Sequence, residues 1–272
     1  MIVFPNAKIN IGLRVTSRRE DGFHNIETLI VPVGMADALE VTPSPDGRFG
    51  FTVSGLSPDC DPESNLCVKA FRMMQKRYDI PVVKIYLHKV IPTGAGLGGG
   101  SADAAFTLKV LNRLFSLKLC NQELSAMAGE LGSDCPFFIE NKPSLATGRG
   151  EVLHPVGLDL SRLFVVIVKP GFSVATQWAY ANIKPSGLSL PSVENLPLNP
   201  AAWNGLLVND FETVVTRNWP QIQEIKQELS LAGAVYTAMS GSGSAVYGLF
   251  EMKPDISGLF NGMFVWQGKF AS

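Results

Sequence analysis

Residues 92–105 read Pro-Thr-Gly-Ala-Gly-Leu-Gly-Gly-Gly-Ser-Ala-Asp-Ala-Ala, with five glycines (Gly94, Gly96, Gly98, Gly99 and Gly100) inside seven positions. An apolar run of strand character, Val82 to Ile91, precedes them and a helix-like run, Ser101 to Phe115, follows. Without Cβ atoms such a backbone can curl until several N–H groups converge on one point. At a helix N-terminus those groups are unpaired and the dipole is positive. The ligand that matches is a phosphate. A flexible linker is the alternative, but a linker is not bounded so closely by strand and helix patterns.

Three kinds of phosphate loop do not fit. Walker A requires Gly-x-x-x-x-Gly-Lys-Ser/Thr, and here Gly100 is followed by Ser101 with no lysine. Gly94, Gly96 and Gly99 satisfy Gly-x-Gly-x-x-Gly, but the dinucleotide fold needs a parallel strand after the helix. The chain gives instead a short polar stretch and a second helical pattern, Gln122 to Leu131. The protein-kinase glycine loop is a hairpin followed elsewhere by Val-Ala-Ile-Lys, His-Arg-Asp and Asp-Phe-Gly, none of which occurs.

The chain has 272 residues, 46% hydrophobic and 17% charged, the composition of a globular protein of one large domain or two closely packed lobes. A formal net charge of −1 with no basic run argues against a nucleic-acid partner. No stretch approaches the ~20 apolar residues that span a bilayer, and no secretory leader is evident at the N-terminus. Cys60, Cys67, Cys120 and Cys135 show no metal spacing and read as free thiols in a reducing cytoplasm. With three histidines, a His-rich metal site is excluded.

Strands are expected at 2–4, 9–16, 26–31, 38–42, 49–53, 82–91, 163–168, 235–239 and 245–250. Helices are expected at 65–78, 101–115, 122–131, 175–181, 204–211 and 222–232. This mixture is α+β. The Gly- and Pro-bearing stretch from Asn141 to Asp159 is the nearest thing to a boundary, and 184–200 reads as a surface loop. The tail from Gly258 is a final strand or helix.

Three further segments can carry chemistry. Along the first long strand Ile9, Ile11, Leu13 and Val15 face one way while Lys8, Asn10, Gly12 and Arg14 face the other. Alone, Lys8 is better explained as a solvated edge-strand lysine. In Leu131-Gly132-Ser133-Asp134-Cys135-Pro136, Gly132 can end one helix in the left-handed conformation. Ser133 and Pro136 suit the start of the next, which sets Asp134 at a helix N-terminus, as a functional acid or as a plain capping acid. Ser240-Gly241-Ser242-Gly243-Ser244, flanked by strand-like residues, reads as a tight loop rather than a linker.

Together, Pro-x-Ala-Lys-Ile-Asn-Ile-Gly-Leu, the glycine loop and the Gly/Ser loop resemble, in the right order, the three signatures of the GHMP small-molecule kinases. The family is named for galactose, homoserine, mevalonate and phosphomevalonate. The resemblance implies a two-lobed α+β fold, with a ribosomal-S5-like lobe at residues 1–155 carrying the ATP loop and a ferredoxin-like lobe at 156–272, and the site between them. It implies ATP and Mg²⁺. The nucleotide would be held by Pro92, Thr93, Gly94, Ala95, Gly96, Leu97, Gly98, Gly99, Gly100, Ser101 and Ala102, and by Asn65, which as a plain helix start has an equally ordinary explanation. Lys8 and Asp134 would be catalytic, as an ion pair: the lysine near the transferred phosphoryl oxygens, the aspartate aiming the hydroxyl and taking its proton.

Asp21-Gly22-Phe23-His24, soon after the first signature, resembles the mark of one branch of that family, and the resemblance implies a small-molecule substrate that carries a cytidine diphosphate group. That substrate, a methylerythritol derivative of the non-mevalonate isoprenoid route, is phosphorylated on its 2-hydroxyl. By the same resemblance Asn10, Phe23, His24 and Tyr180 bind it, with Phe23 (where tyrosine is usual) and Tyr180 stacking on cytosine. Core packing for the two rings and a structural role for His24 are the plain alternatives. Homoserine and mevalonate kinases are the rival activities, disfavoured by Asp-Gly-Phe-His. A non-catalytic ATP-binding sensor is disfavoured by the presence of both Lys8 and Asp134.

Overall fold

The structure, a computed structural model, describes residues 1–56 and 61–271. Cys60 and Ser272 lie outside the described residues. The strands in chain order are β1 (Ile2–Val3), β2 (Asn6–Arg18), β3 (His24–Ala36), β4 (Ala38–Pro43), β5 (Gly50–Gly55), β6 (Val83–Lys89), β7 (Ser144–Thr147), β8 (Val152–Pro155), β9 (Phe164–Lys169), β10 (Tyr236–Met239), β11 (Val246–Phe250) and β12 (Phe264–Lys269). The helices are α1 (Leu66–Tyr78), α2 (Gly99–Leu114), α3 (Asn121–Leu131), α4 (Phe137–Glu140), α5 (Thr176–Asn182), α6 (Glu212–Asn218) and α7 (Gln221–Leu231). The α+β class expected from the sequence holds. Among the described residues no helix is long and apolar enough to cross a membrane.

The chain divides into two compact units, neither continuous in sequence. The first comprises Met1–Ala7, Met35–Thr93 and Gly98–Lys142; the second Lys8–Gly34, Gly94–Leu97 and Pro143–Ser272.

In the first unit the sheet order is β1-β4-β6-β5, antiparallel except for the parallel β5/β6 pair. A parallel neighbour needs a crossover, and α1 supplies it. Asn65 caps α1, its Oδ1 accepting from the Cys67 amide at 2.9 Å. The helix buries Cys67, Val68, Ala70, Phe71 and Met74 along one stripe. Helix α2 packs against α1, α3, α4 and β4. It can lie this close because Ala102, Ala104 and Ala105 are fully buried and small.

The second unit holds two antiparallel sheets, β2-β3-β7-β8 and β10-β11-β9-β12. Its core gathers Leu13, Val15, Val166, Val168, Phe211, Ile225, Leu229, Val246 and Phe250. Burial of such side chains is worth about 1.5–3 kcal/mol each against leaving them exposed.

Several expected elements differ. The stretch from Asn141 to Asp159 does contain a division between the units, after Lys142, but it also forms a hairpin, β7–β8, that extends a sheet. Residues 204–211, expected helical, form turns, and the helix α6 begins at Glu212. The buried Asn209 and Asp210 there spend their side chains on backbone N–H groups outside any helix, the competition that makes Asn and Asp poor helix-interior residues. The tail resolves as a strand, β12, paired with β9.

Candidate active site

The first long strand is buried on both faces. Its apolar face, Ile9 to Val15, enters the core, yet Lys8 and Asn10 on the other face are each only 4% exposed. The solvated-lysine alternative therefore fails. Lys8 Nζ donates to Asn10 Oδ1 at 2.5 Å, and Asn10 Nδ2 donates to Thr28 Oγ1 at 3.0 Å. Thr28 passes its own proton to the Gly12 carbonyl at 2.6 Å. The chain of donors fixes which end of the Asn10 amide faces the lysine. Gly12 itself is obligatory: its φ is +66° and a Cβ would stand 2.9 Å from Leu190.

In the second unit the glycine-loop segment Gly94–Leu97 is stitched to the Gly/Ser loop. Ser240 Oγ donates to the Gly96 carbonyl at 2.9 Å and accepts from the Asn10 amide at 3.3 Å. The Ala245 amide donates to the Ala95 carbonyl at 3.1 Å, and the Lys8 amide to that of Leu97 at 2.9 Å. A Cβ on Gly96 would lie 2.0 Å from the Ser240 carbonyl oxygen. Two signatures some 140 residues apart thus share one backbone network with the first. The Gly/Ser loop is held from behind by Asn209, whose Nδ2 donates to the carbonyls of Met239 and Gly241, both at 2.8 Å. Sequence reading missed Asn209; an Asn-Asp pair inside the otherwise apolar run Leu206 to Phe211 was the available signal. Thr176 and Ser242 share a hydroxyl hydrogen bond at 3.0 Å, which ties the start of α5 to the same loop.

In the first unit the remaining loop residues form the start of α2. Gly98 caps it in the left-handed region at φ 72°. The helical ladder begins with Ala102 N donating to Gly98 O at 2.9 Å. The N–H groups of Gly99, Gly100 and Ser101 precede that first rung, the arrangement that receives anions. Pro92 and Ala102 are buried; Thr93 and Gly100 are exposed and Ser101 is half-buried. Burial pushes the Cys135 thiol up to about 11, so it is no nucleophile.

Asp134 lies in the turn between α3 and α4, half-buried. The expected capping geometry around it is not adopted. Gly132 ends α3 with φ 173°, extended rather than left-handed, and α4 starts only at Phe137, behind Pro136. With four residues α4 has little dipole to offer. Position in the turn, not a helix N-terminus, presents the carboxylate. Asn65 is the α1 cap described above, with its side-chain oxygen engaged.

The aromatic group stands in the second unit. His24 is buried at 8% exposure and its ring stacks on Tyr180, centroids 5.2 Å apart at 24°. Tyr180 meets Phe211 edge-on at 4.8 Å. Phe23 is 54% exposed, with the Arg149 guanidinium 5.0 Å above its ring. Burial, aided by the positive charge of Arg18, lowers the His24 pKa, so the ring is neutral at pH 7. Tyr180 thus faces His24 rather than waiting open.

Two family models match: the GHMP kinases N terminal domain over residues 65–142 and the GHMP kinases C terminal domain over residues 193–261. A protein of Bacteroides fragilis called 4-diphosphocytidyl-2-C-methyl-D-erythritol kinase is 47% identical, with 98% of each chain covered. One of the same designation from Parabacteroides distasonis is 46% identical, with 99% of each covered. A crystal structure of 4-(cytidine 5'-diphospho)-2C-methyl-D-erythritol kinase superposes with a TM-score of 0.85 at 34% identity, covering 100% of both chains. With a backbone network that joins the three signatures, and with identity of this order along the whole length, the chain belongs to the GHMP kinases and, within them, to the 4-diphosphocytidyl-2-C-methyl-D-erythritol kinase family.

Proposed function

We propose that the protein transfers the γ-phosphoryl group of ATP to the 2-hydroxyl of 4-diphosphocytidyl-2-C-methyl-D-erythritol, a step in the supply of isoprenoid precursors by the non-mevalonate route. The observation that carries this is the 47% identity, over 98% of both chains, to a kinase of that designation. Asp21-Gly22-Phe23-His24, with a buried neutral His24, supports a cytidine-bearing substrate over homoserine or mevalonate.

In the reaction the substrate oxygen forms a bond to the γ-phosphorus, the bond from that phosphorus to the β–γ bridging oxygen breaks, and ADP leaves. Phosphoryl transfer asks for position and electrostatics more than for strong bases. Asp134 orients the 2-hydroxyl and accepts its proton, help worth about 10²–10⁴-fold. Lys8, its ammonium held by Asn10, offsets charge on the transferring oxygens. The glycine loop supplies backbone N–H groups to the nucleotide phosphates. Phe23, His24 and Tyr180 receive the pyrimidine, and Asn65 with the 92–102 segment receives ATP.

Among the described residues no group of three His, Cys, Asp or Glu side chains could cage a metal. Mg²⁺ retains waters and is commonly carried on the nucleotide's own phosphates with few protein ligands. Ser101 would be its protein contact, and the ion would neutralise phosphate charge. A reducing cytoplasmic setting fits the chemistry of the route.

The experiment is turnover of purified protein with ATP and Mg²⁺ against the cytidyl substrate, homoserine and mevalonate, read by phosphorus NMR of the product. Phosphorylation of the cytidyl compound alone is expected; phosphorylation of either rival instead overturns the assignment.

A further inference from the structure

Directly behind the glycine loop the first unit buries three charged side chains that the proposed chemistry does not use. Lys89, at the end of β6, is 2% exposed; Asp37, just after β3, is fully buried; Asp103, in the second turn of α2, is 3% exposed. Lys89 Nζ donates to Asp103 Oδ2 at 2.7 Å and to Asp37 Oδ2. Asp37 Oδ1 accepts from the amides of Val90 at 2.5 Å and Ile91 at 2.8 Å. The Asp37 carboxylate therefore grips the chain where it leaves β6, and Lys89 links that grip to α2.

The glycine loop lies between these two points. Its entering stem, Val90–Ile91, is held by Asp37, and its leaving stem, the start of α2, by Asp103 through Lys89. The stems are in direct contact: a Cβ on Gly99 would stand 2.8 Å from Ile91 Cγ2 and 3.3 Å from Lys89 Nζ. An apolar filling would hold these elements with less desolvation cost, since buried ion pairs seldom add net stability. What a hydrogen-bonded cluster adds is direction.

Two carboxylates and one ammonium also leave a charge to be settled. Burial, offset in part by Lys89 and reinforced by Asp37, pushes the Asp103 pKa up to about 7. Burial works against the Lys89 charge, but the Asp103 and Asp37 carboxylates outweigh it and hold its pKa above the ordinary value. Asp103 Oδ1 has no hydrogen-bond partner, while Asp103 Oδ2 and Asp37 Oδ2 both accept from the one Lys89 ammonium. A proton on Asp103 makes the cluster neutral. The other titratable group facing it, Cys67 on α1, is fully buried and stays a thiol.

We propose that Lys89, Asp37 and Asp103 form a buried clamp that sets the spacing of the two stems of the glycine loop, and so act as positioning residues for the nucleotide phosphates. This rests on the reading that the loop binds ATP. A misplacement of about 1 Å behind a reacting group can cost about 100-fold, so a clamp that touches no ligand has leverage.

The test titrates Asp103→Ala, Asp103→Asn and the double variant Lys89→Met/Asp103→Leu by calorimetry with a non-hydrolysable ATP analogue and, separately, with the cytidyl substrate, alongside thermal melting. Like the protonated acid, asparagine can accept from Lys89 and carries no charge. It is expected to stay within about threefold of wild type for the ATP analogue, whereas Asp103→Ala weakens it about tenfold or more. The double variant replaces charge by apolar volume. It is expected to keep its melting temperature, weaken the ATP analogue as Asp103→Ala does, and keep cytidyl affinity within about twofold. If the double variant binds the ATP analogue as tightly as wild type, the cluster is packing and the proposal falls. If every variant loses both ligands in proportion to its melting temperature, the proposal falls as well. Should wild type itself not bind the ATP analogue, the ATP reading fails, an outcome separate from either of these.

Discussion

The glycine-loop segment and the aromatic group around His24 are built by opposite means within the same unit. Gly94–Leu97 is positioned almost wholly by backbone: carbonyls of Ala95, Gly96 and Leu97 are taken by Ala245 N, Ser240 Oγ and Lys8 N. Phe23, His24 and Tyr180 are positioned by ring against ring and by a guanidinium over a ring. A backbone-held surface suits a phosphate, which every nucleoside triphosphate presents alike. A side-chain-held surface suits a base, where identity must be read. The first kind of surface tolerates almost no substitution; the second can be altered one ring at a time.

The sharpest test of this division is a change that leaves both surfaces intact. Asp134→Asn keeps shape and removes the proton acceptor. We expect kcat to fall about 10²–10⁴-fold while calorimetric affinities for an ATP analogue and for the cytidyl substrate stay near wild type. A kcat close to wild type would remove Asp134 from the chemistry.

Next in size is a break in the backbone-held surface. Gly96→Ala brings a Cβ to 2.0 Å from the Ser240 carbonyl at a φ of +76°. The strained backbone alone costs about 1–3 kcal/mol. The variant should lose the ATP-induced rise in melting temperature that wild type displays. An undiminished thermal shift would mean that phosphates sit elsewhere than on this loop.

That contrast also explains what the sequence disclosed. Glycines concentrated between a strand pattern and a helix pattern announce backbone geometry in the residue types themselves, so the loop and α2 were legible, α2 to within two residues of its start. Lys89 was legible in principle: Val83, Ile85 and Leu87 are the buried phase of β6, and Lys89 continues that phase, so a lysine points inward. Its partners Asp37 and Asp103 lie 52 and 14 residues away, and no local pattern names them. The same limit hid Asn209, which reaches loops 30 and 32 residues on. The stack of His24 on Tyr180 depends on how β3 and α5 meet, which no spacing encodes. The β7–β8 hairpin was missed because its strands have four residues each, too few for a period to stand out among glycines.

In the side-chain-held surface the two rings should separate. Phe23 is 54% exposed, so Phe23→Ala should leave stability within about 0.5 kcal/mol and cost about 1–3 kcal/mol of cytidyl affinity, roughly 5- to 150-fold. Tyr180 packs on His24 and Phe211, so Tyr180→Ala should lose stability too, about 2 kcal/mol, roughly half the cost of emptying a full aromatic site. Chemical denaturation and calorimetry on both variants decide it. Equal losses of stability in the two would make Phe23 a packing residue and end the distinction.

The smallest effect is expected from His24, and it sets the surfaces apart by pH. Burial first and the Arg18 charge second lower its pKa in the folded protein, below the ordinary value of 6.5 that the unfolded chain retains. As pH falls through 6.5 the unfolded chain takes up the proton first, so it binds more protons than the folded one and stability declines. Above that window both states are neutral and this group contributes no slope. The His24→Gln variant keeps a polar side chain but cannot titrate. Melting curves between about pH 7.5 and 5.5 should therefore show a shallower acid decline in the variant than in wild type, even though the variant starts less stable for want of the stack on Tyr180. Parallel curves would mean that His24 charges freely in the folded state, and that its burial beside Tyr180 does not control its protonation.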